Sequence, residues 1–251
     1  PFSLINALSD RKLRNYWASS GATSLLPKFV DDMEMKMEYF DHCFIEGDTL
    51  ETSDVVNGGA ELFLYQSGYL TIKGYDDGVY ILGFPNFEVR KALYRVVVPA
   101  LTMKSNSEVV SAQSFLRKMM QDGNTAEAKK ALKALIADVP YSNKKMASMD
   151  MEERYRLIMS TIFRALGFRV EVERMLATGR IDMIVEVPSI IYVLELKLSN
   201  NGGISAAESQ IKEKSYTEPF KADKRKVIAL AVELDETGKG LIDWKEVDES
   251  L

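Results

Sequence analysis

Three side chains carry chemistry by their type and spacing: Asp182, Glu195 and Lys197. They fall in two runs rich in branched residues, 179–187 and 190–198, on either side of Pro188-Ser189. Such runs around a turn pair read as an antiparallel hairpin. In an antiparallel hairpin the numbers of facing residues have a constant sum. A turn centred on Pro188-Ser189 therefore pairs Val187 with Ile190 and sets Asp182 directly opposite Glu195. Alternation along the strand brings Lys197 to the face of Glu195. The other face is continuous core: Ile181, Met183, Val185 and Val187 against Ile190, Tyr192, Leu194, Leu196 and Leu198. Like charges in opposed strand positions repel, and two carboxylates share such a spot only with a proton or a cation between them. A hard divalent cation, Mg²⁺ (or Mn²⁺), held by one or two carboxylates answers that need. The competing structural reading is a cluster in which Lys197 neutralises the pair. A bulge of one residue would move Asp182 to the other face and dissolve the site.

These residues need elements to hold them. Asp150-Met151-Glu152-Glu153 opens a helix with acids in its first turn, as the helix dipole favours. Its apolar stripe is Tyr155, Ile158, Met159, Ile162 and Leu166, with Glu152 on the same side. A core-facing glutamate needs a partner; an exposed acid that only stabilises the dipole is the alternative. A first strand holds Val170 and Val172 and ends at Glu173-Arg174. After the hairpin comes a helix over residues 205–218, with Ala206, Gln210 and Lys214 on one face. An apolar strand over 226–233 and a short one over 241–247 complete the order α-β-β-β-α-β. From Lys212 to Lys226 six basic residues face Glu213, Glu218 and Asp223, a mildly basic flank near the hairpin. Such a flank suits phosphate neutralisation, and a solvated helix face accounts for it equally.

The run Gly167-Phe168, Glu171-Val172-Glu173, Gly179-Arg180-Ile181-Asp182, Glu195-x-Lys197 and Gln210-Ile211-Lys212-Glu213-Lys214-x-Tyr216 resembles the PD-(D/E)XK nuclease superfamily. It looks most like the nuclease-like C-terminal domain found behind AAA-ATPase-like domains in many bacterial proteins, abundant in Bacteroides-type genomes. The proline of that signature is Ile181 here. The resemblance covers roughly residues 150–247 and implies a restriction endonuclease-like αβββαβ core within an α/β (α+β) chain. It implies a metal-dependent nuclease acting on DNA, with Asp182 and Glu195 as ligands of Mg²⁺ (or Mn²⁺). Lys197 would orient water or stabilise developing charge, and Glu152 and Gln210 would complete the site from the two helices. It also implies an upstream ATPase-like domain in the same polypeptide. The alternative is a catalytically silent module that binds nucleic acid or protein.

Length and composition fit these expectations. The chain has 251 residues, 46% hydrophobic and 27% charged, the make-up of one large or two ordinary globular domains. Its formal charge of -5 means that any nucleic-acid contact must come from a local basic face. One cysteine, Cys43, allows no internal disulfide and points to a reducing cytoplasm. One histidine, His42, lies far along the chain from the hairpin and makes Ser-His-Asp or His-rich metal chemistry an unpromising reading. No apolar run approaches a membrane span of about 20 residues, no signal peptide is visible, and no Gly-rich Walker loop is present. Residue 1 is Pro, which reads as the start of a fragment of a longer protein.

The N-terminal part, residues 1–105, reads as the helical, winged-helix-like end of an ATPase-like region. Residues 1–48 look helical, with helices near Asp10 to Trp17 and after Ser24. The segment Asn15-Tyr16-Trp17-Ala18-Ser19-Ser20-Gly21 resembles the tail of that ATPase-like domain. A short helix over 60–65 precedes strands over 68–74 and 78–83 that turn at Asp76-Asp77-Gly78. A helix from Asn86 to about Val98 carries Val89, Leu93 and Val97 and is closed by Pro99. Residues 106–148 read as an αα-hairpin and a linker. Val109 or Val110, Phe115, Leu116, Met119 and Met120 form its first stripe. Ala128, Ala131, Leu132, Leu135 and Ile136 form the second, and residues 140–148 the linker. Residues 149–251 are the nuclease-like domain.

Overall fold

The structure, a computed structural model, describes residue 9 and residues 37–52, 59–102, 104–137 and 150–248. The helices expected between residues 10 and 36, the ATPase-like tail and the linker at 140–148 all lie outside the described residues. The chain divides into two compact units, Pro1–Val97 and Val98–Leu251.

The first unit holds β1 (Cys43–Glu46), the single turn α1 (Gly47–Leu50), α2 (Gly59–Gln66), β2 (Thr71–Asp76), β3 (Val79–Gly83) and the start of α3 (Phe87–Thr102). The hairpin turns where expected. Tyr75 faces Tyr80 and Asp76 faces Val79 across Asp77 and Gly78, both at positive φ, 41° and 86°. Positive φ at both central residues matches the right-handed twist of the flanking strands. The first strand begins later than the sequence suggested. Gly68 adopts φ 80° and the N–H groups of Tyr69 and Leu70 return to the Leu64 carbonyl, so residues 68–70 close α2. The expectation of helix through residue 48 is corrected as well. Cys43–Glu46 is a strand that pairs with β3, making a three-stranded sheet of order β1-β3-β2. Cys43 and Ile45 point inward while Phe44 and Glu46 are exposed. Nor does Pro99 end its helix: α3 runs on to Thr102. Pro99 leaves the Arg95 carbonyl without its usual helical donor.

The second unit is built on a five-stranded sheet of order β4-β5-β6-β7-β8: β4 (Arg169–Leu176), β5 (Gly179–Glu186), β6 (Ile190–Leu198), β7 (Lys226–Leu234) and β8 (Leu241–Val247). β6 and β7 run parallel, and the other pairs are antiparallel. With α6 (Met151–Ala165) before β4 and α7 (Gly203–Lys214) between β6 and β7, the order is αβββαβ followed by β8. The described chain is thus mixed α/β with helices and two sheets, consistent with a restriction endonuclease-like core. β4 continues past Glu173-Arg174 to Leu176 and forms its own hairpin with β5 over Ala177-Thr178. α7 starts at Gly203 and stops at Lys214, because Ser215 adopts φ 50° and its N–H returns to the Ile211 and Lys212 carbonyls. Beneath α7, Ala207 and Ile211 pack with Ile184, Ile191, Val193, Ala229, Ala231, Tyr216 and Phe220 in one buried cluster.

The αα-hairpin, α4 (Asn106–Asp122) and α5 (Thr125–Ile136), lies in this same unit. Ser105 and Glu108 form a reciprocal cap at the start of α4, Gly123 at φ 73° ends it, and Asn124 caps α5. Val109, one of the two residues expected at that position, is buried with Leu116, Met119 and Met120, but Phe115 is 44% exposed and leaves the expected stripe. The pair packs on the sheet through specific bonds. Lys129 meets Asp243 at 2.5 Å, the Trp244 indole N–H donates to the Thr125 carbonyl at 2.9 Å, and the Tyr192 hydroxyl donates to the Met120 carbonyl at 2.5 Å.

Candidate active site

The site begins with the register of β5 and β6. Met183 faces Leu194, Ile184 faces Val193, Val185 faces Tyr192 and Glu186 faces Ile191, while the Val187 N–H reaches the Ile190 carbonyl at 2.9 Å. Regular pairing stops one step short of Asp182 and Glu195. There the Asp182 side chain takes over, and its Oδ2 accepts the Leu196 N–H at 2.9 Å. On the other side of β5, pairing with β4 also steps over Asp182, opposite Glu173, which adopts φ 54°. The ladder is interrupted at the carboxylate on both sides of β5. As a result Ile181 packs in the α7 cluster with Ile184, whereas strict alternation assigned it to the opposite face with Met183 and Val185.

Asp182 is 4% exposed and Glu195 is 0% exposed. Glu195 Oε1 accepts from the Lys197 ammonium at 2.8 Å, and Glu195 Oε2 is buried with no hydrogen-bond donor. Burial first, and then the charge of Asp182, push the Glu195 carboxyl well above its ordinary range despite the Lys197 contact. Burial pulls Lys197 down, but the bond to Glu195 and the charges of Glu195, Asp182 and Glu152 outweigh it, so the ammonium is held more firmly than usual.

Glu152 enters from the first turn of α6, where Asp150 caps the helix by accepting the Glu152 N–H at 3.1 Å. Burial raises its carboxyl; the next largest influences are Lys197, Asp182 and Arg156, which puts it within electrostatic reach of the site. The hydrogen bond of Gln210 goes to Tyr216 and not to the carboxylates. Its amide donates to the Tyr216 hydroxyl at 3.0 Å, and that hydroxyl donates to the Arg180 carbonyl at 2.7 Å. The bonds tie α7 and the turn after it to the backbone two residues before Asp182.

Two residues escaped the sequence reading. Arg156 sits on α6 four residues after Glu152, on the same helix face, a signal that was available. Its Nη1 lies 3.5 Å from Asp182 Oδ1 and its Nη2 lies 3.3 Å from Glu173 Oε1. Glu173 also receives Arg180 Nη1 at 3.0 Å. Its role depends on a left-handed residue inside a strand, which no local pattern announces.

Among the described residues no group of three or more His, Cys, Asp or Glu side chains gathers as a ready-made cation cage. The pair nonetheless fits a divalent ion. A buried carboxylate oxygen without a donor, beside a second carboxylate, is a donor set for a hard cation that keeps several waters. The chain is 25% identical, over its whole length, to a protein of Azotobacter chroococcum mcd 1 described as an uncharacterized protein in the vnfD 5' region. It spans about half the length of that relative (49%). No solved structure matches. Residues 150–244, the segment that holds Glu152, Asp182, Glu195, Lys197 and Gln210, match the family model of the PD-(D/E)XK nuclease superfamily.

Proposed function

We propose that this site hydrolyses phosphodiester bonds in DNA, with Asp182 and Glu195 holding Mg²⁺ or Mn²⁺. The observation that carries the reading is the donorless, fully buried Glu195 Oε2 beside Asp182. Burying a carboxylate so is costly unless a proton or cation completes it. When bound, a divalent ion supplies Lewis-acid polarisation of a phosphate and acidification of water. The protein's own groups do the rest. The Leu196 N–H fixes Asp182 Oδ2, while Oδ1 has only the long 3.5 Å contact with Arg156. Lys197, held at 2.8 Å from Glu195, keeps its proton and stabilises negative charge developing on the phosphoryl oxygens. Glu152, whose carboxyl burial raises, would exchange a proton with water at the site from the first turn of α6. Gln210 acts through Tyr216 as a positioning residue for the Arg180–Asp182 backbone. We further propose that residues 1–105 are the winged-helix-like end of an ATPase-like region, as the resemblance implies.

A second reading has an observation of its own. Arg156 and Lys197 already lie against Asp182 and Glu195, so the pair is neutralised without a metal and the domain could be a silent binding module. Calorimetric titration with Mn²⁺ separates the two. The nuclease reading predicts one site per chain that Asp182→Asn weakens at least tenfold. Absence of binding by the wild-type protein favours the silent module.

A further inference from the structure

Glu173 holds two arginines on one oxygen. Arg156 Nη2 and Arg180 Nη1 both reach its Oε1, at 3.3 and 3.0 Å. The Glu173 backbone adopts φ 54° inside β4, a conformation that costs free energy for a side chain other than glycine. The two guanidiniums are met by two carboxylates, Glu173 and Asp182, and each guanidinium carries more N–H donors than these contacts use. The side chain of Arg156 is 12% exposed, whereas that of Arg180 is 50% exposed, so the cluster runs from Asp182 out to solvent. The second link of Arg156, to Asp182, is long at 3.5 Å. Planar guanidiniums match phosphate oxygens better than an ammonium does.

We infer that Arg156 and Arg180, aligned by Glu173, form a subsite for a backbone phosphate of the DNA strand whose scissile bond lies at Asp182 and Glu195. This rests on the proposed nuclease reading and adds to it where the strand is gripped. Glu173, left-handed where the β4–β5 pairing is interrupted, holds both cations at one point.

The test is equilibrium binding of short fluorescein-labelled DNA, single-stranded and duplex, to the full chain in Ca²⁺, measured across a series of salt concentrations. Arg180→Gln removes a half-exposed side chain and so spares the fold. It is expected to weaken binding about tenfold at low salt and to lower the slope of log affinity against log salt by about one, as loss of one phosphate contact does. Mn²⁺ affinity by calorimetry stays at the wild-type value. Arg180→Lys restores the slope but not the full affinity, because the paired N–H geometry is lost. Arg180→Gln matching the wild type in both affinity and slope, while the wild type binds DNA, overturns the inference and leaves the nuclease reading standing. A wild-type protein that binds neither DNA overturns both.

Discussion

Glu195 has one oxygen on Lys197 and the other buried without a donor, and this makes stability depend on pH in a definite direction. Burial and Asp182 push its carboxyl to about 8, above the ordinary carboxylate value. The folded protein then binds more protons than the unfolded chain between the ordinary range and about 8, so stability falls as pH rises through that window. Glu152, also raised by burial, adds to the same trend. Thermal unfolding of the metal-free protein at a series of pH values should show the fall, and Glu195→Gln should remove most of it. A wild-type protein whose stability rises from pH 5 to 8 contradicts the assignment. Tyr216 offers a second residue-level check. Tyr216→Phe deletes the donor to the Arg180 carbonyl and the acceptor for Gln210. It should cost roughly 1–2 kcal/mol of stability and weaken Mn²⁺ binding; unchanged Mn²⁺ affinity would separate Tyr216 from the site.

At the scale of elements, the β5–β6 hairpin was legible because a turn pair and strand parity fix which residues face each other, and the observed register follows that rule from Glu186 to Met183. What parity could not show was the break in pairing at Asp182, opposite Glu173 at φ 54° in the neighbouring strand. The same limit hid β1. Cys43–Glu46 is four residues long, and its partner β3 lies far along the chain, so only the long-range pairing makes it a strand. Phe115 was placed on a buried stripe by helical spacing, but spacing does not say how wide the covered face is, and Phe115 falls outside it. The seat of the αα-hairpin on the sheet can be probed at Gly240. Its φ is 104°, and a Cβ there would lie 2.6 Å from the Ile136 carbonyl oxygen at the end of α5. Gly240→Ala should destabilise the protein by more than about 1 kcal/mol, read as a lowered denaturation midpoint; a neutral result would mean that α5 does not depend on this approach.

For the whole molecule, the sequence reading set residues 106–148 apart from the nuclease-like domain, while the αα-hairpin lies in the same compact unit as the five-stranded sheet. Sequence could not reveal this, because the contacts that join them pair Lys129 with Asp243 and Trp244 with Thr125, each more than a hundred residues apart. We propose that proteases cut first within residues 141–148. The hairpin fragment should then stay bound to the sheet fragment under native conditions and part from it only on denaturation. None of the helices among the described residues is long and apolar enough to cross a membrane. If Asp182 and Glu195 form the cation-dependent phosphodiesterase site proposed above, DNA cleavage depends on both the carboxylates and the ion. Single-stranded and duplex DNA would be incubated with wild-type and Asp182→Asn protein in Mg²⁺, in Mn²⁺ and in chelator. Asn keeps the size of Asp182 and an acceptor for the Leu196 N–H while relieving repulsion with Glu195, so the variant should fold at least as well as the wild type. The predicted result is cleavage by the wild type with Mg²⁺ or Mn²⁺, none in chelator, and loss of at least a hundredfold in rate for Asp182→Asn, about 3 kcal/mol of transition-state stabilisation. Equal cleavage by the two proteins would contradict the account.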